Sequence, residues 1–287
     1  MHRAPENEVA DISAELHSGR PWKFVWIYYG IACLFSWIVW IPLMLGRDGL
    51  EVWRIAPPLP VFACIGTLGP LIGCYLAHWL ETGNWHAVRL LPAGRRQGGW
   101  LLLGPLLILF CFFVIFPSLL SSGDPRSWKW NFGVLTGILI PMLNYNLLGG
   151  PLFEEFGWRG FLQSRMQDMM PPWAATIVVG IMWTAWHWPL FIVHFVNATP
   201  TVFALTMVGM SMVMALPFNA SGRAVTVAIL MHAAFNASSR FVGPFFGNTP
   251  TRSSPSAELL LAISFLSLGI IIALATKGRM AAASSSC

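Results

Sequence analysis

Long apolar stretches separated by short polar ones form the dominant pattern along this chain. A bilayer core about 30 Å thick requires about 20 mostly apolar residues per helix, so stretches of that length with few or no charged residues predict spanning helices. The clear stretches are residues 24–46, 60–80, 100–122, 132–153, 173–196 and 259–276, and the weaker ones are 201–220 and 224–240. The pattern predicts an all-α, polytopic membrane protein of about eight transmembrane helices, with its site in a cavity between them.

The polar segments divide the chain in a simple way. Residues 1–23 are predicted to form a polar N-terminal tail, residues 24–276 a single membrane-embedded domain, and residues 277–287 a short C-terminal tail. Glycine and proline mark the loops, and none of the loops is long enough to hold a soluble catalytic domain. Any chemistry therefore has to come from the helices.

Composition supports the membrane assignment. Hydrophobic residues make up 56% of the 287 positions and charged residues 10%, whereas an ordinary soluble domain has about 25% charged residues. Lysine and arginine are concentrated in the two tails and in every second loop, so both termini are predicted to be cytoplasmic. The net charge of +5 is explained by this bias and by the lipid bilayer as partner, and no nucleic-acid partner is expected.

Ionisable residues beside predicted spans form three clusters, all between residues 150 and 240. Such residues are costly to bury, which makes them functional candidates. In the first cluster, Glu155 and Arg159 stand four positions apart and can pair on one helix face. Glu154 points about 100° away and stays available as a general base. Pro151, after two glycines, fits the first position of that helix.

The other two clusters also have one-turn spacing. Trp183 precedes His187 by four positions and can pack against its imidazole, and His232 precedes Asn236 by the same interval. Taken singly, each cluster is also explained as a salt bridge, a buried histidine or a polar contact between helices. Their conjunction on nearly consecutive spans favours one shared site.

These motifs resemble those of the type II CAAX prenyl endopeptidase family, also called the CAAX protease and bacteriocin-processing membrane proteins. The resemblance rests on Glu-Glu-x-x-x-Arg at residues 154–159, aromatic-x-x-x-His at 183–187 and His-x-x-x-Asn at 232–236. One departure is Trp183, where phenylalanine is usual, and it keeps an aromatic wall beside the histidine. Similarity covers roughly residues 130–245.

The resemblance implies an intramembrane endopeptidase that acts on a membrane-associated or lipidated peptide or protein. In that interpretation Glu154 and His187 activate a water, and His232 with Asn236 stabilises the oxyanion. Glu155, Arg159 and Trp183 would be supporting residues.

The resemblance also implies a possible metalloprotease. If a metal such as Zn²⁺ is bound, Glu154, His187 and His232 can supply three ligands. A metal-free mechanism with glutamate as base fits the same residues, and the compact His-Glu-x-x-His motif is absent from the sequence.

Two other functions compete with proteolysis. A non-catalytic membrane scaffold or bacteriocin self-immunity factor fits the same resemblance, although every motif position keeps a chemically competent residue. A small-solute or proton transporter would use Glu154, His187 and His232 as a relay. We found no internal repeat, which counts against the transporter.

Overall fold

A computed structural model describes residues 20–115, 145–196, 198–245 and 255–282, and these segments are helical without any strand. The helices are α1 Arg20–Leu45, α2 Leu59–Gly66, α3 Leu68–Thr82, α4 Arg95–Gly98, α5 Trp100–Phe110, α6 Tyr145–Leu148, α7 Pro151–Glu155, α8 Ser164–Met169, α9 Pro172–Trp186, α10 Trp188–Ile192, α11 Pro200–Ala220, α12 Val225–Phe245 and α13 Pro255–Ala275. Two π-helical segments, Cys111–Ile115 and Phe156–Gln163, continue α5 and connect α7 to α8.

Five helical segments in the described part of the chain are long and apolar enough to cross a membrane. They are Trp22–Leu45, Leu59–Thr82, Arg95–Ile115, Pro200–Ala220 and Glu258–Ala275. Pro172–Trp186 and Val225–Ser239 are shorter apolar helices. The all-α, multi-pass membrane architecture is confirmed, but the count of about eight spans is not. The predicted spans 173–196 and 224–240 correspond to the two shorter helices, and the predicted span 132–153 lies largely outside the described residues. Positions 1–19 and 283–287 of the predicted tails also lie outside them.

Close packing between α1 and α3 depends on small residues in the 59–82 segment. A Cβ atom at Gly66 would overlap the Trp40 indole, and one at Gly69 would overlap the Ser36 hydroxyl. Ser36 also donates to the Gly66 carbonyl at 2.7 Å. Small residues let helix backbones approach in a membrane, where apolar burial alone does not drive association. These glycines fix α1 against α3.

Aromatic side chains then link α1 to the segments that carry the three motifs. Trp158 packs on Tyr28 with ring centroids 5.9 Å apart and on Trp186 at 5.7 Å. Trp186 packs against Trp40 with tilted rings whose centroids lie 4.8 Å apart, and it donates its indole N–H to Ser36 at 2.8 Å. All four aromatic side chains are fully buried. This cluster packs the π-helical segment Phe156–Gln163 and α9 against α1.

The loops that carry much of the positive charge meet at one end of the helices, which we call the basic end. The Val225 N–H donates to the Arg89 carbonyl at 2.9 Å, and the Trp173 N–H donates to the Gly278 carbonyl at 3.3 Å. The side chain of Arg223 pairs with Asp168 at 3.2 Å. Loops predicted to share one side of the membrane are therefore neighbours in space, and their cytoplasmic orientation stays a prediction.

Candidate active site

The first motif begins at an unusual backbone turn. Gly150 has φ 151°, a backbone conformation that residues other than glycine rarely adopt. Pro151 begins α7 directly after it. The helix start predicted at Pro151 is confirmed. A Cβ atom at Gly150 would lie 2.7 Å from Oε1 of Glu154, so the glycine leaves the room that this carboxylate occupies.

Glu155 and Arg159 form the predicted ion pair. Nη1 of Arg159 donates to Oε1 of Glu155 at 2.8 Å, and both side chains are fully buried. Nη2 of Arg159 also donates to the Ser211 hydroxyl of α11 at 3.3 Å. The pair spans the junction where α7 gives way to the π-helical segment, and such segments are frequent at functional sites.

Trp183 connects the first motif to the second. Its indole N–H donates to Oε2 of Glu154 at 3.0 Å, and its ring lies 4.3 Å from the Arg159 guanidinium carbon. The same ring meets His232 edge-on at 5.0 Å. Trp183 is 1% exposed. The sequence predicted an aromatic wall here, whereas the structure also gives Trp183 a polar contact with the candidate base.

His187 lies where α9 ends and α10 begins, and not inside a continuous helix as the predicted span 173–196 implies. The break has a local cause, because Pro189 follows two positions later and cannot continue the α-helical hydrogen bonds. Nδ1 of His187 lies 2.8 Å from the Trp183 carbonyl, which can only accept, so Nδ1 carries the proton and Nε2 is left free. Trp186 and Phe203 pack edge-on against the imidazole at 4.7 and 5.0 Å.

His232 reaches across from α12 to the first motif. Its Nδ1 lies 2.8 Å from Oε1 of Glu155, the same oxygen that accepts from Arg159. Because a carboxylate only accepts, Nδ1 donates, and Nε2 is left for another partner. Glu155 therefore orients the histidine as well as balancing the charge of Arg159.

The three motifs line one cavity of about 280 Å³. Its polar and ionisable side chains include Glu154, His187, His232 and Asn236, with Thr67 and Ser239. The carboxamide of Asn236 forms no hydrogen bond with any residue that the structure describes. Apolar side chains complete the wall, among them Leu190, Phe195, Phe203, Met207 and Phe235. The cavity combines a carboxylate, two imidazoles and a carboxamide with an apolar surface.

The sequence predicted that Glu154, His187, His232 and Asn236 share one site, and they line one cavity, but several of their neighbours were missed. Phe203 and Ser211 carry no motif and lie on α11, and Thr67 lies between α2 and α3. Their position beside the site follows from helix packing, which the linear pattern does not encode. His194 is exposed and does not line the cavity.

The three ligands that the resemblance suggests for a metal do not assemble into a metal centre. Among the described residues, no group of three or more His, Cys, Asp or Glu side chains is placed to hold a metal ion. Glu154, His187 and His232 thus share a cavity without forming a three-ligand set.

Comparison with known proteins matches the segment of the chain that carries the three motifs. Residues 136–238 match the family model described as Type II CAAX prenyl endopeptidase Rce1-like, a range that contains all three motifs. The chain is also 33% identical over 95 residues to CAAX prenyl protease 2 of Methanococcus maripaludis. The aligned region covers 31% of this chain and 35% of that relative, so the match spans about a third of each protein. The resemblance to the type II CAAX prenyl endopeptidase family is confirmed for this segment.

Proposed function

We propose that the protein is an intramembrane endopeptidase of the CAAX-processing type. The observation that carries the proposal is the shared cavity, in which Glu154, His187, His232 and Asn236 face one space bordered by apolar side chains. A buried carboxylate beside free imidazole nitrogens is suited to activating water for attack on a carbonyl.

Glu154 is the general base in this mechanism. Its carboxylate takes a proton from a water while the Nε2 lone pair of His187 accepts the second hydrogen and orients the attacking oxygen. The oxygen bonds to the scissile carbonyl carbon, and Glu154 then passes its proton to the leaving amine nitrogen as the C–N bond breaks. The tryptophan N–H on Oε2 leaves Oε1 as the oxygen that handles the proton.

The negative oxygen of the tetrahedral intermediate needs donors. The free carboxamide of Asn236 supplies N–H groups, and His232 donates from Nε2 when its imidazole is protonated, with Glu155 as its counter-ion 2.8 Å away. Glu155, Arg159 and Trp183 are positioning residues, since each acts through a group that contacts the substrate.

The proposed substrate is a membrane-associated or lipidated peptide or protein. Leu190, Phe195, Phe203 and Phe235 in the cavity wall provide an apolar surface for such a substrate. The name of the archaeal relative refers to prenyl proteins. A farnesylated peptide with a C-terminal tripeptide extension is therefore the first substrate to test.

The decisive experiment measures cleavage of that peptide in proteoliposomes by wild type, Glu154→Gln, His187→Ala and His232→Ala. His194→Ala is the matched control, because it removes an exposed histidine that lies outside the cavity. General acid–base groups typically contribute about 10²- to 10⁴-fold, so each cavity variant should lose at least about 100-fold while the control keeps its rate.

One result of this experiment would overturn the proposed protease activity. If folded wild type cuts no peptide across a panel of lipidated and transmembrane substrates, while a membrane partner still co-purifies with Glu154→Gln, the protein is a scaffold. A second arm adds a chelator. Loss of cleavage followed by rescue with zinc alone would establish that cleavage depends on a metal.

A further inference from the structure

A second cavity, separate from the candidate active site, lies at the basic end. It has a volume of about 330 Å³ and is lined by Arg89, Arg165, Arg223 and Ser164, with Val88 and Phe161 among its apolar neighbours. None of its lining residues is acidic. Arginines from two loops and from α8 therefore converge on one cavity.

The positive charge in this cavity is only partly balanced by the protein. Arg165 pairs with Glu81 at 2.6 Å and Arg223 with Asp168 at 3.2 Å, and both acids lie outside the lining. Arg89 forms no ion pair with the residues that the structure describes. A bound anion would supply the counter-charge that Arg89 lacks.

The backbone on the two sides of the cavity is fixed by hydrogen bonds. Backbone hydrogen bonds join its two sides, with the Val225 and Thr226 N–H groups donating to the Arg89 and Leu90 carbonyls at 2.9 and 3.2 Å. The guanidinium of Arg165 also lies over the Phe161 ring at 5.5 Å. Arg89 is thereby held by its backbone while its side chain stays available.

Nearby aromatic residues indicate which anion fits. Trp79 and Trp85 are exposed and stacked with ring centroids 5.6 Å apart, and Leu90 and Leu91 beside Arg89 are also exposed. Exposed tryptophans next to arginines are typical of the level where lipid headgroups meet water, and basic pockets between helices bind anionic headgroups there. From these observations we infer that the cavity formed by Arg89, Arg165 and Arg223 binds the phosphate of an anionic membrane lipid. The inference does not depend on the proposed protease activity.

Thermal unfolding of the full-length protein in a neutral detergent tests this site. Dioleoylphosphatidylglycerol should raise the unfolding midpoint in a concentration-dependent way, because a ligand that binds the folded state stabilises it, whereas dioleoylphosphatidylcholine should raise it far less. A basic residue near the lipid surface contributes about 1 kcal/mol, so Arg89→Gln should weaken the apparent affinity for phosphatidylglycerol about fivefold.

Arg95→Gln is the matched control, since Arg95 is an exposed arginine at the same end that does not line the cavity. It should keep its phosphatidylglycerol affinity within about twofold of wild type. Equal weakening by both variants would mean diffuse attraction and would overturn the site. Equal stabilisation by the two lipids would do the same.

A measurement with inorganic phosphate distinguishes a lipid phosphate from a soluble phosphate as the ligand. If phosphate alone at submillimolar concentration stabilises the protein as much as phosphatidylglycerol, the ligand is a soluble phosphate and the lipid assignment is wrong. Should Arg89→Gln not fold, native mass spectrometry of wild type with equal amounts of both lipids decides. Preferential retention of phosphatidylglycerol supports the site, and equal retention overturns it.

Discussion

The indole N–H of Trp183 donates to Oε2 of Glu154 at 3.0 Å in an environment where both side chains are almost fully buried. A phenylalanine at this position would keep the ring but not the hydrogen bond. Trp183 therefore restricts the orientation of the candidate base in a way that the usual family residue does not.

Trp183→Phe tests this relationship. A hydrogen bond to a charged group contributes about 1.5–3 kcal/mol, so kcat for the proposed cleavage should fall at least about tenfold with little change in KM. Trp186→Phe is the control, because it removes an indole N–H that donates to Ser36 and not to a carboxylate. Equal losses in both variants would assign Trp183 a packing role only.

Loss of the buried ion pair between Glu155 and Arg159 should strongly reduce the stability of the protein against unfolding. Glu155→Gln leaves a fully buried guanidinium without its counter-charge and should cost about 3–5 kcal/mol, seen as a large drop in the unfolding midpoint in detergent. Glu81→Gln breaks a partly exposed pair with Arg165 and should cost about 1 kcal/mol or less. Similar midpoints for the two variants would contradict the buried-charge account.

Gly150 should be sensitive to the smallest substitution. Gly150→Ala combines an unfavourable φ of 151° with a Cβ atom 2.7 Å from Oε1 of Glu154. Backbone strain of this kind costs about 1–3 kcal/mol, and displacement of the carboxylate should lower kcat/KM at least about tenfold. Gly98→Ala has open space around its Cβ atom and should be unaffected, which cleavage assays on both variants would check.

Cys64 offers a chemical probe of the cavity. It lines the cavity and is partly exposed, whereas Cys33, Cys74 and Cys111 are buried. In a Cys287→Ser background, a polar maleimide should label Cys64 alone, as read by mass spectrometry, and labelling should block cleavage. A protein labelled at Cys64 that retains full activity would show that substrate does not pass this residue. Cys64→Ala should protect against the reagent.

The sequence predicted the features of the site that depend on residues close together along the chain. The interval between Glu155 and Arg159 predicted their ion pair, and the Gly-Gly-Pro sequence predicted the helix start that places Glu154. The bond from His232 to Glu155 joins residues 77 positions apart. It depends on how α12 is rotated against α7, and that rotation is set by packing across several helices.

Two further features of the site differ from what the sequence predicted. Apolar length predicted a continuous helix through His187, but Pro189 interrupts the helical hydrogen bonds, so α9 ends and α10 begins at His187. The hydrogen bond from Trp183 to Glu154 had no signal in the sequence except the indole itself, which differs from the usual phenylalanine. A buried indole needs an acceptor, and that requirement could have raised the question of its partner.

The contacts of Arg159 have a consequence for biosynthesis. Its charge is balanced by Glu155 nearby in sequence, but the Ser211 hydroxyl that accepts from Arg159 and the His232 imidazole that donates to Glu155 come from helices that are synthesised later. A nascent chain that has reached only residue 200 therefore carries an ion pair without the helices that will enclose it. Release of the early helices into lipid has to wait for α11 and α12, so membrane insertion of this protein should be completed as one late, cooperative step rather than helix by helix.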